Sequence, residues 1–172
     1  VGQCVLTSPG SACYNGLESA TKMALAAGPR FFGDGWQTAK KLGKQRFWRV
    51  PVMDGEFIIE DKCGVTTDAV GGGNLLVLGR DRAGLLEVTE AAVAAIAKVP
   101  DVITPFPGGI VRSGSKVGSK YKGAVASTND AFCPTLRGAV KSELDPDIVA
   151  VLEIVIDGLT SEAVANAMRA GL

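Results

Sequence analysis

The apolar positions are weakly ordered over residues 1–44 and become regular after that. In the weak stretch, Ser8-Pro9-Gly10 predicts a turn and Phe31-Phe32-Gly33-Asp34-Gly35 an aromatic–glycine corner. Two apolar runs, 47–53 and 57–59, flank Asp54-Gly55, a strong short-range signal for a β-hairpin. Gly71-Gly72-Gly73 after Val70 reads as a flexible, hinge-like loop leading into a buried strand over 74–78. Leu85, Val88, Ala92, Ile96 and Val99 recur at helical spacing, which predicts a helix over 83–99 with those side chains as its buried stripe and Pro100 as its end. A strand interrupted by Pro105 and Pro107 is expected between 102 and 111, followed by a long functional loop over 113–135. Residues 148–156 predict a strong strand and Asp157-Gly158 a turn. A last helix follows, with Thr160 as N-cap and Leu159 and Val164 at the two staple positions. Trp36 and Trp48 are expected in the core.

The second half thus reads strand, helix, strand, loop, strand, helix. This is an α+β pattern that makes up most of a split βαβ, or ferredoxin-like, lobe and lacks its final strand. A lobe cut there would leave an unpaired sheet edge. The chain also opens on Val1 and stops just after a helical pattern, so truncation at both ends is expected.

Composition narrows the class. With 172 residues, 47% of them hydrophobic and 21% charged, the chain suits one ordinary domain or two small lobes. Eighteen basic residues balance eighteen acidic ones, which argues against nucleic acid as partner. No run approaches the roughly 18 apolar residues of a membrane span, and nothing at the start resembles a secretion signal. Cys4, Cys13, Cys63 and Cys133 are scattered, as in a reducing cytoplasm. Histidine is absent, which removes Ser-His-Asp and Cys-His nucleophiles and HExxH metal sites. Chemistry here falls to carboxylates, lysines, hydroxyls and backbone dipoles, and no metal is expected.

Glu153 stands out because every neighbour from Val149 to Ile156 is apolar. On a central strand its carboxyl would lose its water, which raises the pKa and suits it to donate to an oxyanion or shuttle a proton. The competing reading is an edge glutamate facing solvent or paired with a lysine. Gly108-Gly109 and Ser113-Gly114-Ser115-Lys116-Val117-Gly118-Ser119-Lys120 supply close backbone approach, hydroxyl donors and positive charge. Gly109 to Gly114 has the spacing of a phosphate loop, but Ser115-Lys116 reverses the required order, so that reading is rejected. Ser127-Thr128-Asn129-Asp130 either orients a ligand's polar edge or caps a turn.

These stretches, taken in order, resemble the formylmethanofuran–tetrahydromethanopterin formyltransferases. The resemblance rests on Gly2-Gln3-Cys4-Val5, Phe31-Phe32-Gly33-Asp34-Gly35, Gly55-Glu56-Phe57-Ile58-Ile59-Glu60-Asp61 and Gly64-Val65-Thr66-Thr67. It continues through 105–120, 126–135 and Glu153-Ile154-Val155-Ile156-Asp157-Gly158-Leu159. Residues 16–30 and the extra glycine around 71–73 depart from the archaeal pattern, and no ligand contact is carried over there. The family implies two ferredoxin-like lobes. Residues 1–70 would be the C-terminal part of the first lobe plus an inter-lobe β-hairpin, and 71–172 the second lobe, incomplete at its C-terminus. It implies a cytoplasmic homo-oligomer or a subunit of a formyltransferase/hydrolase complex, acting on tetrahydromethanopterin and methanofuran as carrier substrates. The even charge balance favours the version found in methylotrophic bacteria.

The resemblance places Glu153 at the family's buried active-site glutamate. Phe106, Gly108, Gly109, Ser113, Ser115, Lys116, Ser119, Lys120, Asn129 and Asp130 would then form the cradle that positions the carriers. Lys116 and Lys120 would meet their anionic tails, and amides near Gly108 and Gly109 would serve the oxyanion. The rival readings are a non-catalytic ligand-binding module and a scaffold subunit of the same fold.

Overall fold

The computed structural model describes residues 1–2, 4–66 and 69–172; Gln3 and Thr67 of the stretches quoted above lie outside the described residues. The fold is mixed α and β and divides into two compact units, Val1–Thr67 and Asp68–Leu172.

The first unit is built from β1 (Ala12–Cys13), β2 (Lys22–Met23), β3 (Thr38–Leu42), β4 (Gln45–Val52), β5 (Gly55–Glu60) and β6 (Cys63–Gly64). Four of these form one sheet in the order β1-β5-β4-β3, and β2 pairs with β6. Ala26, Val50, Phe57 and Ile59 form its core, with Trp48 packed against them. The predicted hairpin is present, but its two loop residues are Met53 and Asp54, because Val52 pairs with Gly55. Gly55 opens β5 at φ +135°, which an L side chain rarely adopts, so the glycine belongs to the strand entry and the turn moves back by one. Trp36 is 79% exposed, against the expectation that it sits in the core. Every residue of the following β3 is exposed, Leu42 included, so no buried face exists there to receive it.

The second unit holds β7 (Val70–Gly79), α1 (Arg82–Ile96), β8 (Val102–Ile103), β9 (Lys116–Val117), β10 (Ala126–Ser127), β11 (Ala150–Gly158) and α2 (Ser161–Ala170). Its main sheet runs β7-β11-β8, antiparallel at both junctions. Side chains alternate across a strand, so Ile154 and Ile156 share a face with their register partners Leu75 and Gly73. That face meets both helices through Ile96, Val164 and Ala167. Thr160 caps α2 by accepting from the Ala163 N–H at 3.1 Å, and Asp81 caps α1 through the Gly84 N–H at 2.7 Å.

Three expectations change here. Gly71-Gly72-Gly73 is not a loop but the start of β7, with the register shifting by one opposite Ile156 and Asp157 and Gly72 at φ +120°. The buried stripe of α1 runs through Leu85, Thr89 and Ile96, while Val88 is 59% exposed. Thr89 hides its hydroxyl by donating to the Leu85 carbonyl at 2.6 Å, which is how a polar residue replaces the apolar one the periodicity favoured. Asp157 and Gly158 continue β11 instead of turning, paired with Ile103 and Val102.

Candidate active site

Glu153 sits in mid-strand on β11, between two neighbours. It faces Leu76 of β7 on one side, and on the other exchanges two backbone hydrogen bonds of 2.8 Å with Val111. Alternation turns its side chain, with those of Asn74 and Leu76, onto the face away from α1 and α2. The residue is 5% exposed, and among the described residues no ion pair involves it. The solvent-facing and lysine-paired alternatives therefore do not describe it. Its Oε1 accepts from the Asn74 Nδ2 at 2.5 Å. Burial without a balancing cation is costly for a carboxylate and is tolerated mainly where the group is used.

Beside Glu153 opens a cavity of about 500 Å³, lined by Val111–Gly114, by 132–135 with Asn129, by the first residues of β11, and by Arg82, Leu85 and Leu86 of α1. Arg137 holds the entry to β11 in place by donating to the carbonyls of Asp145, Pro146 and Ile148 at 3.0, 3.0 and 2.6 Å. Of the sequence-predicted residues, Glu153, Ser113 and Asn129 meet in this cavity. The Ser113 and Gly114 N–H groups on its wall have no backbone acceptor among the described residues.

Lys116, Ser119, Lys120 and Asp130 gather elsewhere, around a second cavity of about 560 Å³ with Tyr121, Ser127 and Thr128. The long loop closes into a ribbon there, as β9 and β10 pair Val117 with Ala126 and Lys116 with Ser127. The Ser127 hydroxyl ties it by donating to the Gly118 carbonyl at 2.7 Å. Lys116 donates to Asp130 Oδ1 at 2.5 Å, so its charge is already met, while Lys120 forms no ion pair among the described residues. Phe106, Gly108, Gly109 and Ser115 line neither cavity. Gly109 is buried at φ +72°, where a Cβ would stand 2.6 Å from Val93 Cγ1. Its N–H is spent on the Phe106 carbonyl at 2.8 Å. That glycine lets the loop pack on α1, and its amide is not free for an oxyanion.

The hydrogen bond from Lys116 holds the Asp130 carboxyl below the usual carboxylate range, helped by the lysine's charge and backbone donors and opposed by desolvation. A lowered acid stays ionised through neutral pH, so the bridge is complete there and is lost as pH falls through the lowered midpoint. In a Lys116→Ala variant the Asp130 titration followed by carboxyl ¹³C NMR is expected to move up toward an ordinary aspartate; an unchanged midpoint would rule out the lysine as the cause.

Sequence reasoning missed Asn74, Arg82 and Arg112. Asn74 carried a signal, as the one polar residue ahead of the apolar run 75–78. The two arginines carried none, since their meeting at one cavity depends on how the 111–114 segment lies against α1. Among the described residues no group of three or more potential metal ligands clusters, and no helix is long and apolar enough to cross a membrane.

A family model described as "FTR, proximal lobe" matches residues 55–172, and one described as "Formylmethanofuran-tetrahydromethanopterin formyltransferase" matches residues 1–52. A subunit of the formyltransferase/hydrolase complex of Methylorubrum extorquens is 59% identical over 177 positions, covering 100% of this chain and 57% of that protein. The formylmethanofuran–tetrahydromethanopterin formyltransferase of Methanocaldococcus jannaschii is 46% identical, covering 100% and 59%. A crystal structure of the M. extorquens complex with methylofuran aligns at a TM-score of 0.63 and 58% identity over 99% of this chain and 57% of that one. The Methanosarcina barkeri formyltransferase aligns at 0.61 and 41%, over 99% and 58%. The chain thus spans a little over half the length of the relatives it matches.

Proposed function

The chain belongs to the formylmethanofuran–tetrahydromethanopterin formyltransferase family, and from that premise we propose that the protein carrying it moves a formyl group between tetrahydromethanopterin and methanofuran. The observation that carries the reading at the level of chemistry is the buried Glu153, which no cation pairs among the described residues and which lines a cavity together with Ser113 and Gly114, whose amides have no backbone acceptor among those residues. The acceptor amine attacks the formyl carbon, and the carbonyl electron pair moves onto oxygen. Glu153 in its carboxylic-acid form donates to that oxyanion, joined by the Ser113 and Gly114 amides in place of those at Gly108 and Gly109. The donor nitrogen then leaves on taking the carboxyl proton of Glu153, which is replaced by the proton the attacking amine gives up as its bond to the formyl carbon forms. Proximity contributes the rest, since the site must hold two large carriers and exclude water.

Ser113 and Asn129 position the reacting ends in this reading, while Lys120, with Ser119 and Ser115 nearby in the chain, meets an anionic tail. Lys116 and Asp130 shape the ribbon that carries them. Phe106, Gly108 and Gly109 support the wall behind it. Arg82 and Arg112 add positive charge at the cavity of Glu153. Lys120→Ala is expected to raise KM for a carrier while leaving kcat near its original value; a fall in kcat alone would place Lys120 at the reacting end.

The second unit is a ferredoxin-like lobe in this proposal, as supported by the order β7-β11-β8, antiparallel throughout, with both helices on one face. In a four-stranded lobe of this kind the position beside the outer edge of β7 is the one a fourth strand takes. Residues 1–70 correspond to the end of a first lobe with its hairpin and 71–172 to the second lobe. The protein would work in the cytoplasm, as an oligomer or within a formyltransferase/hydrolase complex. The deciding experiment is a formyl-transfer assay on the complete protein with both one-carbon carriers. Binding of the carriers without transfer would make it a scaffold or ligand-binding subunit instead.

A further inference from the structure

We infer that Asn74 is the positioning residue for Glu153, an inference that rests on the catalytic reading of Glu153 above. Asn74 lies on β7 opposite Val155, one cross-strand step diagonal to Glu153 on the same face, within the reach of such pairs. Its Nδ2 donates to Glu153 Oε1 at 2.5 Å. No other side chain among the described residues bonds the Glu153 carboxyl, so this amide is the side-chain hydrogen bond that orients it. The geometry has a consequence for the proton. An amide N–H occupies Oε1 whether the carboxyl is ionised or not, so Oε2 is the oxygen left to carry a proton toward a substrate. Without that bond the terminal torsion of a glutamate is broad, and the acid would present either oxygen or neither.

The surrounding strand supports this role. Gly71 and Gly72 precede Asn74 with no side chain to crowd it, and the ideal Cβ position at Gly72 lies 3.9 Å from Asn74 Oδ1. The side chain therefore extends between a bare backbone on one end and the carboxyl on the other. Leu75, directly after it, is tied into the helix-side core, which anchors the strand under Asn74. Asn74 need not touch either carrier; it acts through Glu153.

The test uses the complete protein and both carriers. Asn74→Val, which keeps a good strand former, and Asn74→Ala are each expected to lower kcat by up to about 100-fold through misplacement of the acid, with KM for both carriers unchanged. Asn74→Gln, which keeps the amide, is expected to recover part of the loss. In a Glu153→Ala background, Asn74→Val should cost nothing more, because the group it positions is gone. Normal kcat in both single variants would overturn the inference, as would a loss that adds in full to that of Glu153→Ala. Normal turnover in both Glu153→Gln and Glu153→Ala would remove the catalytic reading itself and this inference with it, and that result is distinguishable from the others.

Discussion

Glu153→Gln in the complete protein is expected to lose kcat by at least about 100-fold while KM for both carriers stays near its original value. Glutamine matches glutamate in size, so the cavity keeps its shape. Its carbonyl oxygen can still accept from the Asn74 amide that now meets Oε1, leaving the Nε2 group in the place of Oε2. That group can still donate a hydrogen bond to an oxyanion, but it cannot give up a proton. The variant therefore separates two uses of the same side chain. If Glu153 works only as a donor to the oxyanion, the loss is small. If it also moves the proton that the leaving nitrogen needs, the loss is large. Glu153→Ala, which removes both uses, should fall at least as far as Glu153→Gln. Near-normal turnover in Glu153→Gln would take Glu153 out of the proton transfer, and near-normal turnover in both would take it out of the mechanism. The measurement is steady-state kinetics on each carrier in turn, with thermal unfolding to confirm that both variants fold. A loss confined to KM would point to binding instead.

Legibility in the sequence followed how local each determinant is. The apolar frame of β11 and the polar residue inside it could be read because strand burial and alternation act over a few neighbours, and Glu153 broke the pattern. Thr160 was equally legible, since an N-cap is set by one side chain and an amide three residues on. The loop over 113–135 was legible as a loop, but its internal division was not. Ser113 and Asn129 turn to one cavity while Lys116, Lys120 and Asp130 turn to another. That division comes from the two-residue ladder between β9 and β10 and from the Lys116–Asp130 bridge, pairings no spacing rule foretells. Gly108 and Gly109 illustrate the same limit from the other side. Paired glycines suit a ligand-facing turn, but Gly109 faces α1 because of the packing of Val93, which is distant in sequence, while a Cβ at Gly108 would meet open space.

Gly73→Ala is expected to destabilise the complete protein by about 1–3 kcal/mol, and the sign of this effect separates a hinge from a packed strand. Gly73 has no left-handed backbone conformation, so alanine meets no φ penalty there. In an open hinge the substitution would stabilise by about 0.4–1 kcal/mol, because it removes freedom from the unfolded chain. The structure gives the opposite sign. A Cβ at Gly73 would stand 2.6 Å from Val164 Cγ1 and 3.1 Å from Met168 Sδ, both on α2. Met168 can swing its thioether aside, but Val164 is held from a second direction, because a Cβ at Gly158 would meet its Cγ2 at 2.7 Å. Two glycines on adjacent strands thus make the recess that lets α2 settle onto the sheet, and Val164 fills it. Trimming that side chain should open the recess again: Val164→Ala destabilises alone by loss of buried methyls, yet should cost less when Gly73 is already alanine. Such non-additivity in denaturant unfolding is the expected signature of direct contact. A neutral or stabilising Gly73→Ala would return this segment to the hinge reading, and full additivity with Val164→Ala would mean that α2 does not rest where the two glycines allow it.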